Sequence, residues 1–334
     1  MSLLITSDIH INDKPLDAHR WELFPWLREQ ARQHGVKDIV INGDLTDNKD
    51  RHSSWLVNKF MEEIDKLSTY ARVLINKGNH DYIDENQPFF NFLNKVHGVK
   101  FFRDIGEVTI LDGKTALFLP STRTPEEDWK EINFAHYDYI FCHQTFEGTV
   151  TSTGFPLSGI DPKIFGKTTA KIYSGDIHSK GTVGCVEYVG SPYRTNFGDA
   201  YNPRVLLVAD DGKPQDLVFP CPLKQLVTIR DVKDLNQYGH VKRGDLVKTR
   251  VRLRRSEYGN WRELRDDILG DLEDRGWVNC GIELAELVVR KQLSGTIDST
   301  YRSPAQRVQD YADQHQLEPE LTKIGLSILE SAQI

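Results

Sequence analysis

The sequence predicts an α/β protein: a four-layer α/β/β/α sandwich carrying a smaller α+β unit and a helical tail. Three observations point there. Apolar strands alternate with amphipathic helices through roughly the first 80 residues, two hairpin signals follow, and the pattern changes after Pro220-Cys221-Pro222. At 334 residues the chain is long enough for more than one core. Its 39% hydrophobic and 27% charged residues exclude a disordered chain.

The elements follow in order. Leu3-Leu4-Ile5 reads as a strand, and Trp21, Phe24, Leu27 and Ala31 then fall at helical spacing. Asp38 to Ile41 is the next strand, Trp55, Phe60, Ile64 and Leu67 mark a second helix, and Arg72 to Ile75 is a third strand. Glu107 to Leu111 and Lys114 to Leu119 flank Asp112-Gly113, a strong hairpin signal; Val205 to Ala209 and Leu217 to Phe219 flank Asp210-Asp211-Gly212. Both hairpins are expected in a second sheet.

Beyond Pro222 the pattern predicts strands at Leu226 to Ile229, Leu246 to Leu253 and Ile282 to Val289. A helix with Trp261, Leu264, Ile268 and Leu272 on one face lies among them. The tail reads as two helices, one capped by Ser303 with Pro304 in its first turn, the other starting near Glu318-Pro319. The expected divisions are residues 1–222, 223–295 and 296–334.

Composition excludes several function classes. With 42 basic and 49 acidic residues the net charge is −7, so a nucleic-acid partner requires a local basic surface. No apolar run is long enough to span a bilayer, and the N-terminus lacks the basic leader of a secretory signal. The cysteines, Cys142, Cys185, Cys221 and Cys280, are scattered, which argues against a disulfide framework or a thiolate zinc site and for the cytoplasm.

The chemistry is written where strands stop. Asp8-Ile9-His10, Gly43-Asp44, Gly78-Asn79-His80-Asp81, His143 and Gly175-Asp176-Ile177-His178 each follow an apolar run. Strand carboxyl ends converge on one crevice in open α/β sheets. Any one of these clusters is equally a cap, a turn or a polar loop; five in order are not. Oxygen and imidazole donors in excess of four, without cysteine, suit a pair of divalent ions that clamp a phosphate and activate water.

In that order these motifs resemble the calcineurin-like metallophosphoesterase superfamily. Within it the chain resembles the SbcD-type DNA double-strand-break repair nuclease, and its short tail resembles phage or compact bacterial versions. Gly43-Asp44-Leu45-Thr46-Asp47, Tyr188-Val189-Gly190-Ser191-Pro192-Tyr193-Arg194 and the unit after residue 223 carry the narrower resemblance.

The resemblance implies one metal on Asp8, His10, Asp44 and His178. A second would sit on Asp44, Asn79 and His143, with Asp44 bridging. The ions would be Mn²⁺, with Mg²⁺ as second choice. His80 would protonate the leaving oxygen, oriented by Asp81. Asp176 replaces the family's histidine and is expected to ligate; contact through water is the alternative.

The implied activity is Mn-dependent nuclease action on DNA, exonuclease at duplex ends and endonuclease on single strands, in a repair complex gated by an SMC-like coiled-coil ATPase of SbcC type. Residues 223–295 would cap the DNA. Lys248, Arg250, Arg252 and Arg254 alternate with apolar residues and form either a phosphate-binding row or a solvated face; Lys49, Arg51 and His52 form a second candidate contact. The tail, with Val308, Tyr311, Ala312, Leu321, Ile324 and Leu329, either packs on the chain or docks the ATPase. Trp55, Leu56, Phe60 and Met61 are either core or a homodimer face. Two other readings stand beside the nuclease: a phosphoesterase for small phosphodiesters or phosphoproteins, and a scaffold whose second metal site is lost at Asp176.

Overall fold

The computed structural model describes residues 2–287 apart from 112, 152–153 and 210–211, together with 304–314 and 317–331. The chain divides into two compact units, 1–287 and 288–334.

The first sheet has the order β12-β11-β1-β2-β3-β4. It comprises β1 (Ser2–Thr6), β2 (Val36–Asn42), β3 (Arg72–Asn76), β4 (Val99–Phe102), β11 (Val205–Val208) and β12 (Pro214–Leu217). β1 to β4 run parallel, and β11 is antiparallel to β1. Both faces are covered, which is why these strands are continuously apolar. Leu4, Ile39, Ile41, Val73 and Ile75 pack under two helices, α1 (Leu23–Gln33) and α2 (Ser54–Ser68). Leu3, Ile5, Val40 and Leu74 face the second sheet, each burial stabilising by about 1.5–3 kcal/mol. The α2 helix starts where Ser53 Oγ accepts from the Leu56 amide at 3.2 Å and buries Leu56, Phe60, Ile64 and Leu67.

The second sheet has the order β5-β6-β7-β8-β10-β9. Its strands are β5 (Gly106–Ile110), β6 (Lys114–Leu119), β7 (Tyr139–His143), β8 (Lys171–Gly175), β9 (Gly181–Val183) and β10 (Val186–Tyr188). Along β7 the pleat alternates Tyr139 and Phe141 toward the first sheet with Ile140 and Cys142 toward an outer core.

Two expectations change. The second hairpin, β11–β12, extends the first sheet, because β11 finds the free edge of β1. The fourth layer is built from short turns at Pro125–Asp128 (α3), Phe134–His136 and Pro162–Phe165, which supply Trp129, Phe134 and Phe165 to its core. Trp21 lies in a 3-10 turn, Pro15–Glu22, ahead of α1. Trp55 is 52% exposed on α2, whereas Leu56 and Phe60 are buried in the core. The hairpin turns at Asp112 and Asp210-Asp211, the strand end at Val289 and the Ser303 cap lie outside the described residues.

The third sheet, β13 (Lys224–Ile229), β14 (Leu246–Leu253) and β15 (Val278–Glu286), is parallel and has its own core. Helix α4 (Trp261–Asp274) covers one face with Ile268 and Leu272. In the other unit, α5 (Pro304–Gln314) and α6 (Pro319–Ser331) contact each other. Among the described residues no helix is long and apolar enough to cross a membrane.

Candidate metal centre

The site is built at the carboxyl ends of β1, β2, β3, β7 and β8. Two asparagines clamp the sheets together there. Asn42 Nδ2 donates to the Cys142 and Tyr173 carbonyls at 2.8 and 3.2 Å, and Asn76 Nδ2 donates to those of Leu119 and Phe141 at 3.1 and 3.3 Å. Backbone strain collects at the same rim. Among the described residues positive φ at non-glycine positions occurs at Asp8 (51°), His10 (38°), Asp44 (55°) and Asp176 (78°), and otherwise only at Leu111. Such conformations persist where surrounding structure enforces them, and they gather at functional sites.

Residues far apart in sequence meet here. Asp8, His10 and His178 offer ligand atoms within 4.8 Å of one another, and so do Asp8, Asp44 and His143. Asp44 turns Oδ2 toward His10 Nε2 at 3.5 Å and Oδ1 toward His143 Nε2 at 3.3 Å, one oxygen toward a histidine of each cluster, while Asp8 is common to both. Gly43 precedes it with φ +92°, and a Cβ there would lie 2.1 Å from His143 Nδ1.

Each histidine is oriented through its other nitrogen. His143 Nδ1 donates to the Asn42 carbonyl at 2.7 Å, leaving Nε2 buried and without a hydrogen-bond partner. The Thr195 hydroxyl donates to Asp199 Oδ2 at 3.0 Å and so accepts from His178 Nδ1 at 2.8 Å. His10 Nδ1 faces Asp47 Oδ1 at 3.5 Å. Such partners fix the tautomer of a ligating imidazole. His10 Nε2 and His178 Nε2 then stand 3.1 Å apart, two lone pairs that a cation between them would reconcile.

Asp8 Oδ2 and Asn79 Oδ1 are likewise buried without hydrogen-bond partners. Orphaned oxygen acceptors from separate loops, on a carboxylate and an amide, fit divalent cations. The charges agree. Burial pushes Asp8 up from the usual carboxylate range, with His143 pulling against it. Burial acts on Asp44 in the same sense, yet His143 and His10 hold its carboxyl well below that range. Burial depresses His10 to about 3, while His143, despite burial, is held well above its ordinary value by Asp44 and Asp8.

His80 and Asp81 part company. The His80 ring stands beside His10, centroids 5.0 Å apart, with Nδ1 at 3.0 Å from the Asp47 carbonyl. Asp81 does not orient it. Its Oδ2 accepts from the Gly78 and Asp44 amides at 2.7 and 3.1 Å and its Oδ1 from the Leu45 amide at 2.9 Å, bracing the Asp44 turn instead. Burial, then Asp44, raises Asp81 to about 7. Asp176 lies outside both ligand clusters; Asn79 Nδ2 donates to its Oδ1 at 2.8 Å, and the Thr145 hydroxyl donates to its Oδ2.

The Gly-Ser-Pro segment supports the first loop, since Ser191 Oγ donates to the Asp8 carbonyl at 2.9 Å and the Tyr193 hydroxyl donates to that of Ile9. Sequence reasoning missed Asn42, Thr195, Asp199 and Arg20. Buried Arg20 donates to the His10 and Thr195 carbonyls, the latter at 3.2 Å. Asp47, within Gly-Asp-Leu-Thr-Asp, is the one orienting residue whose motif was visible.

The basic candidates are more ordinary. Lys49 and Arg51 are exposed beside Asp47, while His52 packs its ring on Phe89, centroids 4.4 Å apart. On β14, Lys248 and Arg250 point away from the core but pair with Glu283 of β15 at 2.7 and 2.5 Å. Arg252 and Arg254 are exposed.

Residues 1–210 match the calcineurin-like phosphoesterase family. The chain belongs to that family. Its relatives include the "Putative phosphoesterase 244L" of Invertebrate iridescent virus 6, 24% identical over 68% of this chain and 84% of the relative. The "Putative phosphoesterase 078R" of Invertebrate iridescent virus 3 is 26% identical over 58% of this chain and 59% of that relative. A subunit of the nuclease SbcCD of Escherichia coli is 30% identical over 28% of this chain and 25% of its own length. A calcineurin-like phosphoesterase is a metal-dependent hydrolase of phosphoesters, and the donors gathered here suit that chemistry.

Proposed function

We propose that this phosphoesterase is a Mn²⁺-dependent DNA nuclease of SbcD type, cutting duplex ends and single strands. One observation carries the reading: His80 stands beside the ligand clusters, tied at Nδ1 to a carbonyl and in neither cluster. A carbonyl only accepts, so Nδ1 carries a hydrogen and Nε2 is the nitrogen that gains or loses a proton; the imidazolium form would give that proton to a departing alkoxide, the poor leaving group of a DNA strand. Asp8, His10, Asp44, Asn79, His143 and His178 would hold two cations, which supply Lewis-acid charge and an activated water. The similarity to a nuclease over 103 residues supports the substrate.

On this reading residues 223–295 cap the DNA, with Lys248, Arg250, Arg252 and Arg254 toward its backbone, and Lys49 and Arg51 approach it near the metals. A coiled-coil ATPase, a second copy of the chain and the cytoplasm complete the proposal. The names of the two viral relatives say phosphoesterase and no more, which fits equally a second reading, action on small phosphodiesters or phosphoproteins.

End-labelled linear duplex, incubated with Mn²⁺, Mg²⁺ or chelator, tests this. Native protein should shorten the label with Mn²⁺ and not with chelator, and His80→Ala should be about 10²–10⁴-fold slower. Turnover of a chromogenic phosphodiester without duplex cleavage would replace the nuclease by the second reading. One tightly bound ion and no hydrolysis of either would leave a scaffold.

A further inference from the structure

Asp176 occupies a strained position, φ +78°, at the end of β8. Its carboxylate and its backbone N–H are both engaged within the site. The carboxylate takes Asn79 Nδ2 on Oδ1 at 2.8 Å and the Thr145 hydroxyl on Oδ2, while its backbone N–H donates to Asp8 Oδ1 at 3.1 Å.

The consequence for Asn79 is directional. An amide can face a neighbour with its NH₂ or with its oxygen, and an ionised carboxylate only accepts. Asp176 therefore admits only the NH₂ and leaves Asn79 Oδ1, buried and without a hydrogen-bond partner, as the free end. A flipped amide would turn hydrogens toward the cations and oppose them. Thr145 holds the carboxylate that enforces this choice. The Asp176 backbone does the same for Asp8, occupying Oδ1 and leaving Oδ2 unbonded.

We propose that Asp176 is a positioning residue and not a metal ligand: it sets the amide of Asn79 and the carboxylate of Asp8 for the cations. The second cation then rests on Asp44, Asn79, His143 and Asp8 and is the more weakly held. This rests on the two-cation reading of the centre, though not on DNA as substrate.

Calorimetric Mn²⁺ titration of the full chain tests it with Asp176→Gly, Asp176→Asn and Thr145→Val. Glycine suits the positive φ and keeps the backbone N–H, so only the carboxylate is removed. Native protein should bind two ions. Asp176→Gly should still bind two, with the weaker site about 10–100-fold weaker. Asp176→Asn still offers an oxygen to Asn79 Nδ2 and should recover most of that loss, and Thr145→Val should weaken the same site. Asn79→Ala should add little in the Asp176→Gly background. If Asp176→Gly binds one ion, or Asp176→Asn binds as poorly as Asp176→Gly while Thr145→Val is native, Asp176 is a ligand and the proposal falls. Two ions bound with no DNA cleaved would remove the nuclease reading and leave this one standing.

Discussion

Lys224 opens β13 and reaches back to the turn beneath the metal loops, where its Nζ lies 2.6 Å from Asp17 Oδ1 and donates to the Thr195 carbonyl at 2.9 Å. Both side chains are almost fully buried. At an effective dielectric near 20 the attraction at that separation is about 6 kcal/mol, much of it offset by desolvation. Replacing Lys224 by Met removes one partner and leaves a buried carboxylate, which costs about 3–5 kcal/mol. Arg20 Nη2 remains 3.3 Å from Asp17 Oδ1 and Asn12 Nδ2 donates to Oδ2 at 3.0 Å. The lower end, about 3 kcal/mol, is therefore expected, a fall in Tm of about 5 °C by differential scanning calorimetry.

The pH dependence has a definite sign. Burial would raise the Asp17 carboxyl, but Arg20 and Lys224 hold it below the usual carboxylate range. Its contribution is thus complete above the unfolded value, near 3.9, and is lost as pH falls through the lower folded value. The native-minus-variant difference should be flat from pH 6 to 8, a window about two units or more above that unfolded value, and shrink below about pH 4. Asp17→Asn with Lys224→Met should be more stable than Lys224→Met alone. A loss under about 1 kcal/mol, or a double variant no better than the single, would refute the argument.

Three further outcomes are expected. Gly43→Ala places a methyl 2.1 Å from His143 Nδ1, and hydrolysis should fall about 10²-fold or more; near-native rates would mean the turn can move. Thr195→Val breaks the link from His178 to Asp199 and should weaken Mn²⁺ binding about 10–100-fold with little change in Tm, both read by calorimetry. Arg252→Ala should lower the log–log salt slope of duplex binding by about 1 if that side chain meets a phosphate, whereas Lys248, already held by Glu283, should lower it less.

The loops that gather at the candidate site were legible because chemistry and topology coincide. An Asp, Asn or His just past an apolar strand has one destination when the strands are parallel, and β1, β2, β3, β7 and β8 obey this. The layered core was legible for a related reason, since strands covered on both faces admit few polar residues. What escaped depends on partners distant in sequence. Nothing local in Asn42 announces the carbonyls of Cys142 and Tyr173, and nothing in Thr195 announces His178 and Asp199. Asp81 beside His80 suggested a proton-transfer pair, but three backbone amides take its oxygens. The cation row on β14 was read without Glu283, which lies on the neighbouring strand. The β11–β12 hairpin was recognised yet assigned to the wrong sheet, because hairpin chemistry sets a turn and not the edge it joins.

The central claim is a two-cation centre shared through Asp44. Equilibrium dialysis of metal-free protein against Mn²⁺, with bound metal counted by atomic absorption, tests it directly. The native chain should bind two ions and Asp44→Asn at most one, with the fold kept. A single ion in the native protein, or two still bound in Asp44→Asn, would contradict it.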